Sequence, residues 1–235
     1  MPDIVRTGLV LNLDAGEPSS YSGSGTTWTD LSGSGNNGTL TNGPTFNSSN
    51  GGGSLVFDGS NDFIEFGDVL DLGTNDRTII SWISLDSSFA GGTILSKARA
   101  AAQNYRFAFL VTSERKIRTF FQGNGGSDIT PDGDDVLLTN TFYMVTTVIT
   151  RSSNISMYVN TRLQILTGSS TISQWNGLDF QSNNPLRVGT YTADDNVTPT
   201  SLFKGNLSNL KIYNRALTAS EVQQNYQALK GRFGI

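Results

Sequence analysis

The chain contains neither cysteine nor histidine. Without cysteine it forms no disulfides and offers no thiolate metal ligands, and its redox compartment is left open. Without histidine it lacks the commonest general base, the commonest metal ligand and the usual pH switch. Glutamate is scarce as well, confined to Glu17, Glu65, Glu114 and Glu221. Charged residues make up only 15% of the chain, and the net charge of −4 argues against the basic surface on which sequence-independent nucleic-acid binding depends. No segment approaches the ~18 consecutive apolar residues of a membrane-spanning helix. The opening Met1-Pro2-Asp3-Ile4-Val5-Arg6-Thr7 lacks the apolar core of a secretory signal. If Met1 is the native start, the protein is made in a cytoplasm and does not leave by the usual export route.

What is present is 26 glycines among 235 residues, many Ser, Thr and Asn, and short apolar runs with a period of two. That composition suits many turns joining short strands. Leu9, Leu11 and Leu13 share one face of a first strand. Further strands are expected over Ser54–Asp58, Asp62–Phe66, Thr78–Leu85, Thr93–Ser96, Tyr105–Val111 and Lys116–Gln122. Others are expected over Phe142–Thr150, Ile155–Asn160, Arg162–Leu166, Leu186–Thr190 and Lys204–Tyr213, with a tight hairpin at Asn160-Thr161. The polar stretch from Gly16 to Gly53 carries only Tyr21, Trp28, Leu31, Leu40 and Phe46 as large anchors. It reads as an ordered excursion pinned to a sheet at those residues. One helix is expected near the end, opened by the capping box Thr218-Ala219-Ser220-Glu221, with Val222, Tyr226 and Leu229 on one face and Gly231 as its stop. There is no internal repeat and no interdomain linker. The expectation is one all-β domain over residues 1–235, a two-sheet antiparallel sandwich with one short C-terminal helix.

Four segments carry a resemblance. They are Gly8-Leu9-Val10-Leu11-Asn12-Leu13-Asp14-Ala15-Gly16 with Trp28-Thr29-Asp30-Leu31-Ser32-Gly33, then Leu55-Val56-Phe57-Asp58-Gly59-Ser60-Asn61-Asp62-Phe63-Ile64, then Arg77-Thr78-Ile79-Ile80-Ser81-Trp82-Ile83, and finally Phe203-Lys204-Gly205-Asn206-Leu207 through Arg215-Ala216-Leu217. In this order the chain resembles the laminin G-like jelly rolls of the concanavalin A-like superfamily. The ending, through Lys230-Gly231-Arg232-Phe233-Gly234-Ile235, resembles the variants common in bacteriophage structural proteins, particularly of marine phages. The resemblance implies a jelly roll with its terminal segments brought together and an inward tryptophan at Trp82. It does not fix function, since sites grafted on this fold serve lectins, adhesins, glycosidases and lyases alike.

Catalysis is not expected. The glycosidases of the fold resemble one another in a Glu-x-Asp-x-x-Glu strand that places two carboxylates across one glycosidic bond. None of the four glutamates has that spacing, Glu221 already serves as a cap, and a serine nucleophile would have no histidine to take its proton. The resemblance also implies a structural calcium, held by carboxylates and carbonyl oxygens as this hard ion prefers. The candidate loops are Asp132-Gly133-Asp134-Asp135 and Asp194-Asp195-Asn196. Asp14, Asp58 and Asp62 lie in the family-like segments, where Asp58-Gly59-Ser60-Asn61 also reads as a self-bonded turn. For ligand binding, ring stacking with a few polar partners is the usual sugar-binding chemistry. Trp28, Trp175 and Tyr191 are the candidates, with Trp28 and Trp175 equally readable as loop anchors. Trp82 reads as core, and Lys97-Ala98-Arg99-Ala100-Ala101-Ala102 as a charged loop or a docking patch.

Two roles follow as expectations. In the first, the protein is a virion component, a capsid decoration or a fibre or tail part bound to other virion proteins, with weak adhesion to cell-surface glycans strengthened by copy number. In the second it is a secreted or cell-surface lectin module. A polysaccharide-cleaving enzyme is a third class, and no nucleic acid or membrane insertion is expected.

Overall fold

The computed structural model describes residues 3–97, 106–122, 128–192 and 198–235. In chain order the strands are β1 (Leu9–Asp14), β2 (Thr27–Trp28), β3 (Gly38–Thr41), β4 (Thr45–Asn47), β5 (Ser54–Asp58), β6 (Phe63–Glu65), β7 (Arg77–Leu85) and β8 (Gly92–Lys97). They continue with β9 (Arg106–Val111), β10 (Ile117–Gln122), β11 (Phe142–Ile149), β12 (Ile155–Val159), β13 (Arg162–Leu163), β14 (Arg187–Val188), β15 (Tyr191–Thr192), β16 (Pro199–Thr200) and β17 (Lys204–Tyr213). One helix, α1 (Ala219–Leu229), follows the last strand.

These strands form two antiparallel sheets. One has eight strands in the order β13-β12-β11-β7-β17-β5-β4, with β1 also on β17; the other has seven, in the order β10-β9-β8-β14-β6-β3-β2. A two-stranded ribbon, β15-β16, stands apart from both. The first half of β17 pairs with β5 and the second half with β1, and a register shift between Leu207 and Asn209 separates the halves. The chain's ends are joined through β1 and β17, as the family resemblance implies.

Alternation sends one set of side chains between the sheets. Leu11, Leu13, Ile79, Ile83, Phe107, Phe109, Phe121, Leu210 and Ile212 belong to this core. The eight-stranded sheet is also covered on its other face, where Ile80, Trp82, Met144, Val148 and Tyr213 meet Val222 of α1. With both faces covered, every residue of β7 is buried, its serines, threonine and arginine included. Trp82 is therefore core, but it points away from the space between the sheets. Its ring is stacked between Tyr226 (centroids 5.6 Å apart) and Phe233 (4.0 Å).

The capping box at Thr218 and Glu221 forms as its spacing predicts. The helix does not stop at Gly231, however. It tightens into a 3-10 turn over Lys230–Phe233, and the left-handed residue is Gly234, at φ 73°. Stacking of Phe233 on Trp82 carries the chain one further turn along the sheet. The Asn160-Thr161 hairpin is present, with Asn160 at φ 56° and Val159 opposite Arg162. Its second strand is shorter than expected because Ile165 N–H leaves the ladder and donates to Asp134 Oδ1 at 3.0 Å.

The glycine-rich stretch is ordered, as its spaced anchors predict, and it contributes β2, β3 and β4. Polar side chains pin it as firmly as the aromatics do. The Asp30 carboxylate accepts from the N–H groups of Asn12 (2.9 Å), Ser32 (2.8 Å) and Asn36 (3.1 Å). Ser20 Oγ accepts from Asp14 N–H at 3.1 Å and donates to Thr29 O at 2.7 Å. Gly53, at φ 121°, lies so close to Gly16 that a Cβ there would sit 2.6 Å from its Cα.

Candidate functional site

The outer face of the seven-stranded sheet combines aromatic and paired polar side chains outside the core. In β9 and β10 the odd-numbered Phe107, Phe109, Val111, Ile117 and Phe121 point inward. Leu110, Arg118, Phe120 and Gln122 are consequently turned outward and are half-buried. Further along the sheet, Arg187 on β14 stands opposite Glu65 on β6 and donates to it through Nε at 2.8 Å. The guanidinium also lies 5.3 Å from the centre of the Phe63 ring.

The ribbon walls this face. Ser96 Oγ on β8 donates to Thr190 O at 2.8 Å, and the Thr190 hydroxyl donates to Thr200 O at 2.9 Å. Thr93 meets Ser201 side chain to side chain at 3.1 Å. Anchored this way, Tyr191 stands edge-on to Phe120, with centroids 6.5 Å apart and ring planes at 83°. The result is a half-buried aromatic corner flanked by fixed hydrogen-bonding groups. Among them is Arg118, whose Nη2 donates to Asp132 Oδ2 at 2.7 Å. That hydrogen bond holds the Arg118 guanidinium above its ordinary pKa.

Of the residues singled out by sequence, Tyr191 takes part in this face. Trp28 and Trp175 do not: they are 0% and 5% exposed and offer no ring face to a ligand. Trp28 belongs to the core between the sheets. Trp175 stacks on Phe121 at 5.5 Å, and Arg151 Nη2 donates to its carbonyl oxygen at 2.6 Å. In a polar stretch the lone large apolar side chain is the one whose burial removes most surface from water, so it anchors the loop. Phe120 escaped the sequence reading. The alternation of β10 signals that it faces outward, but nothing local shows that Tyr191, seventy-odd residues on, comes to meet it.

The carboxylates of the acidic loop are each engaged by a basic or amide side chain. Asp132 is taken by Arg118. Asp134 accepts two hydrogen bonds from Arg162, which hold its carboxyl down at about 2. Asp135 accepts from Gln164 Nε2 at 2.7 Å and pairs with the same Arg162. Asp58 accepts from the N–H groups of Ser60 and Asn61, and Asp62 from that of Asp58, so this segment is the self-bonded turn. Asp14 pairs with Arg232 at 2.6 Å. Among the described residues no three Asp, Glu, His or Cys side chains gather as a metal site. Asp194 and Asp195 lie outside the described residues, as does most of the basic stretch. Its first member, Lys97, is no docking residue: it is buried and held by Asp68 at 2.8 Å and Asp71 at 2.9 Å. Among the described residues no helix is long and apolar enough to cross a membrane.

Two antiparallel sheets, a covered convergence of both chain ends and an outward aromatic–polar face define a jelly-roll sandwich of the lectin type. A family model, that of the concanavalin A-like lectin/glucanases superfamily, matches residues 58–223, and the chain belongs to this family. A comparison with curated proteins finds no match in sequence. Among solved structures the chain is similar to domain 4 of an extracellular arabinanase from Geobacillus stearothermophilus, solved with arabinotriose, at TM-score 0.66 and 18% identity over 93% of this chain and 98% of that one. It is similar to the binding domain of Paraclostridial Mosquitocidal Protein 1 at TM-score 0.68 and 16% identity, covering 93% of this chain and 52% of that one. It also resembles a mutant Trypanosoma rangeli sialidase with trans-sialidase activity, at TM-score 0.65 and 14% identity over 97% of this chain. The chain spans only 34% of that sialidase's length. At these identities the likeness is one of fold.

Proposed function

We propose that the protein is a non-catalytic carbohydrate-binding module that holds an oligosaccharide on the outer face of its seven-stranded sheet. The observation that carries this reading is the Phe120–Tyr191 corner, a half-buried pair of rings set among side chains already fixed by hydrogen bonds. Rings supply the apolar faces on which sugar C–H surfaces stack, and pre-positioned polar groups supply direction at little entropic cost. The family description and a structural relative solved with arabinotriose support the same ligand class. A binding rather than cleaving role is supported by the carboxylates themselves. Glu65 is committed to Arg187 and Glu221 to Arg215 and the helix cap. Placement on a virion, the finer reading, rests on the likeness of the chain's ending and is tested by looking for the protein in purified particles.

The binding test displays the protein multivalently on a glycan array that includes arabinan oligosaccharides and sialylated glycans. Binding is expected to one class, with Phe120→Ala and Tyr191→Ala each weakening it about tenfold, the loss of roughly 1–2 kcal/mol of stacking. An array silent at high valency overturns the reading.

A further inference from the structure

The polar groups on either side of Phe120 bear on which sugars the aromatic corner would hold. Arg118 and Gln122 lie two residues before and after Phe120 on β10. All three side chains therefore share the outer face, each about 6.7 Å along the strand from the next. Arg118 stands opposite Asp132 across an isolated bridge, and its guanidinium pairs with that carboxylate. Gln122 donates through Nε2 to Asp128 Oδ1 at 2.7 Å. A ring is thus flanked by two couples, each a nitrogen donor held against a carboxylate.

Neither couple is saturated. Arg118 uses Nε and one N–H of Nη2 on Asp132, which leaves Nη1 and the second N–H of Nη2 to donate. Each Asp132 oxygen accepts one of those bonds and keeps a further lone pair. Both side chains reach solvent, at 37% and 22% exposure. Gln122 keeps one amide N–H and its carbonyl oxygen, and Asp128 is exposed. Nη2 and Oδ2 lie 2.7 Å apart, close to the separation of neighbouring hydroxyl oxygens on a sugar ring. One hydroxyl oxygen can accept from the guanidinium while its neighbour donates to the carboxylate. Couples held by hydrogen bonds before the ligand arrives lose little freedom on binding.

The same carboxylates disfavour an acid. A sugar carboxylate laid on Arg118 would meet Asp132 beside it, and one laid on Gln122 would meet Asp128; like charges in contact are repulsive. Lys116 lies one step further along the face, about 6.7 Å beyond Arg118, where water screens its pull on a ligand over the ring.

We propose that the aromatic corner selects neutral sugars with vicinal hydroxyls over uronic and sialic acids, with Arg118–Asp132 as the couple that sets the preference. The selectivity rests on the binding face proposed above and narrows it to one class of sugar.

The test screens the whole protein against neutral oligosaccharides (arabinan, galactan, xylan) beside acidic counterparts (oligogalacturonate, glucuronoxylan, sialylated glycans). Neutral glycans are expected to bind, with the acidic counterparts about tenfold weaker or more. Neutral affinity is expected to change less than about twofold between about 50 mM and about 500 mM sodium chloride. Asp132→Asn keeps the side chain's size but removes its charge. It is expected to weaken neutral binding about tenfold and to narrow the gap to the acidic glycans, because the guanidinium is then left to an anion. Acidic glycans bound as tightly as neutral ones, or an unchanged ratio in Asp132→Asn, overturn the selectivity and leave the binding face standing. A silent array, or binding indifferent to Phe120→Ala, overturns the face and the selectivity together. The wild-type ratio decides the matter even if Asp132→Asn fails to fold.

Discussion

Replacing Trp82 by alanine should undock the C-terminal helix before it unfolds the sandwich. Trp82 is wholly buried, and its two faces are covered by Tyr226 and Phe233, whose planes lie within 11° and 8° of its own. Truncating a buried tryptophan costs about 3–5 kcal/mol, of which stacking on each partner contributes about 0.5–1.5 kcal/mol. The loss should fall near the middle of that range, because both partners belong to the C-terminal segment, which keeps the contact of Phe233 with Phe142 and the Arg232–Asp14 pair. An eleven-residue helix is marginal alone in water. Urea denaturation followed by far-ultraviolet circular dichroism should therefore show a midpoint shift together with a reduced slope, as the folded state buries less surface. Hydrogen exchange should show residues 219–229 opening well below the global transition. Trp82→Phe should lose less than about 2 kcal/mol, since it keeps a ring between the two partners and removes an indole N–H that has no hydrogen-bond partner among the described residues. If Trp82→Ala stays within about 1 kcal/mol of the parent, with the helix still protected, the stack does not hold the helix and the reasoning fails.

Three further outcomes follow from the ionisable groups. Glu221, held down to about 2 chiefly by its hydrogen bonds from Arg215, contributes stability that is present above its ordinary range near 4.5 and lost as pH falls towards 2. Glu221→Gln should thus cost about 1 kcal/mol at pH 7 and nothing at pH 2, where equal losses at both values would show that the carboxylate's charge is irrelevant. Lys211 titrates in the opposite sense: between about 8 and its ordinary 10.5 the unfolded chain binds more protons, so its unfavourable contribution fades as pH rises. The stability gained by Lys211→Met at pH 7 should shrink across that window in parallel denaturant titrations, and a constant gap would contradict the depressed ammonium. For the acidic loop, Asp134→Asn should lower the melting temperature equally with millimolar calcium or with chelator, because Arg162 holds that carboxylate. A calcium-dependent difference would identify the loop as a metal site.

Patterns that repeat along the chain could be read before any coordinates. Strands β5 and β17 lie at their expected bounds, and β7, β11 and β12 lie within a residue or two of them, because a period of two must be written into a strand with one face in a core. The capping box is likewise local chemistry within four residues. Less legible was the exposure of single aromatics. Trp28 and Trp175 sit in polar surroundings, and sequence neighbours do not show whether a distant strand waits to cover them. The partners of charged residues were equally illegible: Lys97 pairs with Asp68, Asp132 with Arg118 and Asp134 with Arg162, each from another segment of the chain.

The sequence by itself determined the class of fold, because alternating short strands seal a two-layer interior, and it excluded disulfide, thiolate and imidazole chemistry, because the chain has no cysteine or histidine. Only the tertiary structure decided which surfaces are available for binding. Sheet pairing sets Asn12 beside Lys211, about two hundred positions on, and the packing of a separate ribbon brings Tyr191 to Phe120. A site assembled by such pairing has no local signature, because burial and electrostatic environment are properties of the neighbours in space.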